Sequence, residues 1–503
     1  MEHYDLVVVG SGAGLTLIEE ALQKGLKCAL VEKDKLGGTC LNRGCIPSKV
    51  LVYPADLIRE TEHAGKTGVF YGQPEISWST ISRRMWQFID RNQQIEENLR
   101  QIDRLTLYRG QAQFTGLDTL QVTDERQGHT DPFTADMIVL ACGARSRVPQ
   151  IKGLAEAGFI TAESFFGPAF PRKPWSSLTI IGGGAIGLEF AHIFSAQGTR
   201  VTLIEAAPAL APLEEPEISE FLEKALIRQG VRVLTGQQIV EAEKTTDGKS
   251  LKIRTADGRD SDVINSEEIF LAAGVQSNAD LINVEKAGIA TDARNYIITN
   301  EYLETNKRHI WALGDVNGKY QFRHKANYEA EVLVHNLLRP DLSRRSVSYQ
   351  AVPWAIFSSP QIAHVGLKAS EAIAAGIPFQ VGYNHYSDIA KGYAMGYEPE
   401  DPDDGFVKLI VDEKKKILGV HIIGPQAAVL LQPFVYLMNA GFRCTGGLKQ
   451  EKRPHTRLIP GLFPPCSEAG SLDPLAHSMV IHPSLSELTA WVIENLEWQD
   501  PAE

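Results

Sequence analysis

A chain of 503 residues is long enough for two to four domains. Its 62 acidic against 50 basic residues give a net charge of −12, the wrong sign for a nucleic-acid footprint. No apolar run nears the roughly 20 residues that span a bilayer, and the N-terminal MEHYDLVVVG lacks the basic-then-apolar pattern of a signal peptide. Six cysteines (Cys28, Cys40, Cys45, Cys142, Cys444 and Cys466) are too few for a disulfide scaffold. The expected setting is therefore the reducing cytoplasm, with no membrane or nucleic-acid partner. There a close cysteine pair is more often catalytic or metal-binding than structural.

Taken along the chain, Tyr4 to Val9 reads as a buried strand. Gly10, Gly12 and Gly14 follow, then a helical pattern over Leu15 to Lys24 and a second apolar strand, Cys28 to Val31, ending in Glu32. Glycines at such a strand–helix junction let the backbone approach a diphosphate, the helix start offers free N–H groups, and Glu32 would accept a ribose hydroxyl. Leu15 stands where the G-x-G-x-x-G pattern has its third glycine, so helix and strand must pack differently there. Next comes GGTCLNRGCIPSK, Gly37 to Lys49, whose Cys40 and Cys45 could be structural, metal-binding or redox-active.

LACGARSRVP, Leu140 to Pro149, carries Gly143. Leu178 to Ile181 is another strand, and Gly182, Gly184 and Gly187 complete the glycine pattern. A helix over Leu188 to Gln197 and a strand from Arg200 to Ile204 follow, ending in Glu205. Glu205 would accept both hydroxyls of an adenosine ribose and repel a 2′-phosphate, which favours NAD over NADP. Two dinucleotide sites in one chain suggest an electron hand-over, with FAD at the first. LAAGV places Gly274 at a similar strand end. HIWALGDV, His309 to Val316, is an apolar strand stopping at Gly314–Asp315, where an Asp can bind the sugar-like chain of a flavin.

Together with VPWAIFSSPQIAHVG (Val352 to Gly366) and HPSLSE (His482 to Glu487), these stretches resemble the class I pyridine nucleotide–disulfide oxidoreductases over nearly the whole chain. Dihydrolipoamide dehydrogenase is the best-known member. The resemblance implies an α/β chain with two Rossmann-like dinucleotide-binding domains plus a C-terminal α+β dimerisation domain. Residues 1–148 and 275–348 would bind FAD, 149–274 would bind NAD, and 349–503 would form the interface of a homodimer.

The resemblance also implies that Cys40 and Cys45 are a redox disulfide. Cys40 would exchange with substrate and Cys45 would face the flavin as a thiolate. A pair this close at a helix start can close a small ring, and the helix dipole lowers a thiolate pKa. Zinc is the competing reading, but C-x4-C has no second ligand pair at suitable spacing, and no metal is expected. Lys49 would lie near the flavin ring, paired with Glu189. His482 would be the general base toward an incoming dithiol, since an imidazole titrates near working pH. Glu487 would orient it, and in the family this histidine reaches the other subunit's disulfide.

The expected function is a dihydrolipoamide dehydrogenase, passing electrons from a dithiol through Cys40–Cys45 and FAD to NAD⁺. Its substrate would be lipoamide or a lipoylated protein, with a 2-oxoacid dehydrogenase or glycine-cleavage complex as a candidate partner. Leu15, Arg43 and MVIHPSLSE also look similar to mycothione reductases, so an NAD(P)H-dependent reductase of a small disulfide is the alternative; a mercuric reductase or a flavin-binding subunit without turnover are further ones. Cys142 stands where the family usually has Thr, and Arg323 precedes His324–Lys325–Ala326 in a segment resembling the flavin-facing loop. Residues 441–481 form a longer connection than usual. With Cys444, Cys466 and the basic Lys449, Lys452, Arg453 and Arg457, this segment reads as a surface loop, a docking patch or a second redox pair.

Overall fold

The computed structural model describes residues 1–439 and 478–482, apart from 73, 125–127, 256 and 413–415. It is an α/β structure. Strand β1 (Glu2–Val9) leads through the first glycine turn into α1 (Gly14–Gln23) and β2 (Cys28–Glu32). Every residue of β2 is buried, as a parallel strand covered on both faces must be. Helices α2 (Gly38–Asn42) and α3 (Cys45–His63) follow, then β3 (Leu105–Arg109) and β4 (Phe133–Leu140). The order in the sheet is β3–β2–β1–β4, with Leu6 opposite Cys28 and Val8 opposite Val139.

A second parallel sheet repeats the design. It contains β5 (Ser177–Ile181), α4 (Ala185–Ala196), β6 (Arg200–Ile204), α5 (Pro216–Arg228), β7 (Arg232–Leu234) and β8 (Glu268–Leu271), with strand order β7–β6–β5–β8. The chain enters and leaves this unit along one antiparallel ribbon, Ala144–Ser146 against Val275–Ser277. Strand β9 (Ile310–Ala312) then returns to the first sheet beside β4, and α6 (Arg323–Leu338) packs on α1.

The last sheet is antiparallel. It comprises β10 (Trp354–Ile356), β11 (Gln361–Gly366), β12 (Phe379–His385), β13 (Phe406–Asp412) and β14 (Ile417–Gly424), in the order β10–β11–β14–β13–β12. The two apolar runs on either side of Asp412–Lys416 pair as a hairpin, with Val407 opposite Ile422. Helix α7 (Ala427–Asn439) covers β11 and β14. No helix among the described residues is long and apolar enough to cross a membrane.

The two glycine turns show how sequence dictates the local path. Gly10 and Gly182 have φ of 105° and 114°, and a Cβ on either would sit 2.3 Å from a backbone carbonyl oxygen, that of Ala141 or Ala272. At the third position the units diverge. Helix α4 starts at Ala185, three residues earlier than its sequence pattern suggests, so Gly187 lies inside it; a Cβ there would meet Gly182 O at 1.9 Å. In the first unit α1 starts at Gly14, and it is Gly14 that lies against the strand, its would-be Cβ 2.6 Å from Val8 Cγ1. Gly14 thus supplies the close approach that Leu15 cannot.

The difference is measurable. Gly187→Ala strikes a fixed carbonyl and should cost more than about 3 kcal/mol, the upper end for ordinary overpacking. Gly14→Ala meets a side-chain methyl that can turn away and should cost about 1 kcal/mol. Urea denaturation of both variants is the check, and equal losses would refute this distinction.

Candidate active site

The cysteine segment docks directly on the first glycine turn. Gly37 and Gly38 take φ of 98° and 68°, and a Cβ on Gly38 would fall 2.8 Å from Gly12 Cα. Asn42 staples the loop, its Nδ2 donating to Lys35 O, Leu36 O and Gly38 O at 3.2, 2.8 and 3.0 Å. This leaves Cys40 buried in α2 and Cys45 as the first residue of α3, both as free thiols. His482 Nε2 lies 3.3 Å from Cys40 Sγ.

The two thiols are electrostatically unequal. The Cys45 pKa is lowered to about 6, first by the hydrogen bond from Cys40 and then by the charges of Lys49 and His482, against burial. The same bond, together with burial, pushes Cys40 well above the ordinary thiol range. The reduced pair therefore keeps its proton on Cys40 and its charge on Cys45. One turn along α3, Lys49 Nζ lies 2.8 and 2.6 Å from the two carboxylate oxygens of Glu189 on α4. Lys49 also stands over the Phe357 ring at 4.6 Å, and the Phe357 N–H donates to Glu189 Oε1 at 3.1 Å.

Both glycine turns open into one cleft of about 1080 Å³. Of the residues singled out in the sequence, Gly10, Gly12, Glu32, Cys40, Cys45, Lys49, Gly143, Gly182, Gly184, Glu189, Glu205, Gly274, Gly314, Asp315 and His482 line it; Gly14 and Gly187 do not, because they pack helix on strand. Glu32 and Glu205 are held by the same device. Glu32 Oε2 accepts from Ser11 N at 2.9 Å and Oε1 from Asp34 N at 2.8 Å. Glu205 Oε2 accepts from Gly183 N at 2.6 Å and Oε1 from Ala207 N at 2.7 Å.

Asp315 sits in a short turn after β9, and burial raises its pKa to about 6 while Lys325 opposes the rise. That turn is fixed by a fully buried pair the sequence reading did not single out. Lys325 Nζ donates to Gly314 O and Asn317 Oδ1 at 3.0 and 2.6 Å, and Glu329 Oε2 accepts from Gly314 N at 2.7 Å. Their i,i+4 spacing on one helix was the available signal.

Arg323, the first residue of α6, reaches over Gly12, its Nη1 3.8 Å from where a Gly12 Cβ would stand. Among the described residues its guanidinium has no hydrogen-bond or ion-pair partner. An unpaired cation beside the first turn, two carboxylates set for ribose hydroxyls and glycines with no room for a Cβ together fit a dinucleotide at each turn.

The model of the pyridine nucleotide-disulphide oxidoreductase family matches residues 4–330, and that of its dimerisation domain matches 352–455. The chain belongs to this family. The family is FAD-dependent, with NAD(P)H as electron donor or acceptor. The chain is 33% identical over 449 residues to a mycothione reductase of Mycobacterium tuberculosis, covering 88% of this chain and 94% of that one. It is 31% identical over 437 residues to a dihydrolipoyl dehydrogenase of Bacillus subtilis, covering 85% and 90%. The HOCl-induced flavoprotein disulfide reductase RclA of Escherichia coli superposes with a TM-score of 0.74 at 26% identity, covering 87% and 94%.

The stretch before His482 is tied to α7. Gln432 Oε1 accepts from Ile481 N at 3.2 Å, and Ile481 is buried in the core under that helix. Glu487, Cys444, Cys466 and the basic cluster Lys449, Lys452, Arg453 and Arg457 lie outside the described residues.

The charge on Cys45 gives a pH test. The thiolate-to-flavin absorbance band of the two-electron-reduced enzyme should vanish as pH falls through about 6, where Cys45 takes up a proton. In Lys49→Met the midpoint should rise by about one unit or more, because the larger of the two charge influences that lower it is gone. An unmoved midpoint would show that the Cys40 hydrogen bond alone sets it.

Proposed function

We propose that the chain is a dihydrolipoyl dehydrogenase, an NAD-linked dithiol oxidase working as a homodimer. The observation that carries this is the asymmetric thiol pair: a protonated Cys40 against His482 and a charged Cys45 against Lys49, at the junction of the two dinucleotide turns. In the oxidised enzyme, His482 Nε2 takes the proton of one substrate thiol. The resulting thiolate attacks Cys40 Sγ, and the Cys40–Cys45 bond breaks with Cys45 leaving as a thiolate, which Lys49 stabilises. The second substrate thiol then displaces Cys40, to which its proton passes, and the substrate leaves as a cyclic disulfide with the first proton held on His482. Bound FAD would supply the two-electron link from this dithiol to NAD⁺.

Glu32, Asp315 and Arg323 would hold the FAD, and Glu205 the NAD ribose. We divide the chain at about 149, 275 and 349, supported by the ribbon and the three sheets. The dimerisation-domain match supports the homodimer. Glu205 supports the NAD-linked reading, because no basic residue follows it in EAAPAL to receive a 2′-phosphate. The second reading, a reductase of a small disulfide such as mycothione, is favoured by the 33% identity to a mycothione reductase.

Side-by-side assays separate the two. Dihydrolipoamide should turn over with NAD⁺, and faster turnover of mycothione with NADH would sink the dehydrogenase reading. His482→Gln should slow dithiol oxidation by roughly 10²–10⁴-fold while leaving flavin reduction by NADH nearly intact.

Glu205→Ala should narrow the preference for NADH over NADPH, read as the ratio of kcat/KM values. A wild-type enzyme that already prefers NADPH would overturn the role given to Glu205.

A further inference from the structure

Away from the cleft, the loop leading into α5 meets the sheet of the dimerisation domain. Two adjacent glutamates there have opposite surroundings. Glu215 accepts from Ala369 N at 2.6 Å and pairs with Lys408 at 3.0 Å. Among the described residues, Glu214, just as buried, has no hydrogen bond of good geometry on either carboxylate oxygen. What faces Glu214 is a pair of imidazoles, His364 on β11 and His421 on β14. They are cross-strand partners with rings 4.6 Å apart.

The hydrogen bonds of these rings determine what they present. His421 Nε2 donates to Leu367 O at 3.1 Å, so its Nδ1 carries a lone pair, and that atom is buried without a partner. His364 Nε2 donates to Gly366 O at 3.3 Å, which leaves its Nδ1 with a lone pair too. The two nitrogens lie 3.7 and 3.3 Å from Glu214 Oε2, and one ligand atom from each of the three residues lies within 4.8 Å of the others. Two imidazole lone pairs and a carboxylate thus converge in a buried spot, an arrangement that is costly unless a cation sits among them. A single proton cannot serve all three, since 3.7 Å is too long for a hydrogen bond. A metal bonded at about 2.0–2.2 Å to each atom matches such separations.

We propose that Glu214, His364 and His421 bind a divalent transition metal of the zinc type, which ties the loop before α5 to the antiparallel sheet. Two imidazoles and a carboxylate are a borderline-soft donor set that suits zinc or cobalt better than calcium or magnesium. The ligands come from three distant stretches of sequence, so no spacing motif announces them. The Trp354 indole N–H also points at His364 Nδ1 and competes for its lone pair. Removing that donor should strengthen the metal, whereas in a purely hydrogen-bonded cluster it would only weaken the fold.

The test uses the full-length flavoprotein as Cys40→Ser/Cys45→Ser, because Cys40, Cys45 and His482 also bring three ligand atoms within 4.8 Å. After chelation and dialysis, Zn²⁺ and Co²⁺ are titrated and the bound metal per chain is measured by elemental analysis, alongside Tm. One ion per chain is expected, with a rise in Tm. In the same background, Glu214→Gln should weaken binding by about 100-fold or more, beyond what loss of a supporting hydrogen bond brings. Trp354→Phe should bind at least as tightly. No stoichiometric ion in the parent protein overturns the site even if Glu214→Gln fails to fold. Equal binding by the parent and Glu214→Gln overturns it as well.

Discussion

The ion pair between Lys49 and Glu189 is the contact on which the site is assembled. Lys49 belongs to the cysteine helix, Glu189 to the helix behind the second glycine turn, and the Phe357 N–H that caps the carboxylate comes from the segment joining β10 to β11. Three parts of the chain therefore meet on two side chains. Such a pair contributes modestly to stability as a whole, because both groups are largely withdrawn from water. Removing either partner is another matter, since it strands a charge at a cost of about 3–5 kcal/mol when fully buried, less here where Lys49 keeps some solvent contact. The pair also sets the redox chemistry. Lys49 lowers the Cys45 pKa and Glu189 raises it, with Lys49 the larger influence.

The two glycine turns share a second constraint. In each unit a glutamate at the end of the second strand reaches back to the backbone N–H just after the first glycine and forward to the N–H two residues beyond itself. Each carboxylate is thus held in place by the backbone, and both residues line the cleft. Preorganisation of this kind reduces the side-chain entropy lost on binding.

Much of this was legible because the strands are apolar runs bounded by glycine turns, and turns with positive φ and no room for a Cβ leave glycine almost no substitute. Leu15 correctly announced that the first unit packs differently. That Gly14 would take over required knowing where α1 begins. The sequence pattern put the start of α4 at Leu188, yet the helix begins at Ala185 and takes in Gly187, packed against Gly182. The Lys325–Glu329 pair, the Asn42 staple and the Glu214–His364–His421 cluster were not legible, since each depends on residues whose neighbours are fixed only by the tertiary fold. The HPSLSE pattern singled out His482, which lies 3.3 Å from Cys40.

The antiparallel ribbon of Ala144–Ser146 and Val275–Ser277 has an evolutionary and engineering consequence. Everything between Arg147 and Gly274 leaves and re-enters the rest of the molecule through two strands that lie side by side, with Ala144 opposite Ser277. The nucleotide module is therefore a cassette whose two ends already touch. Exchanging it needs only two junctions, both at one place, and one retained contact: Glu189 lies within the cassette, so a replacement must present a carboxylate to Lys49 of the cysteine helix.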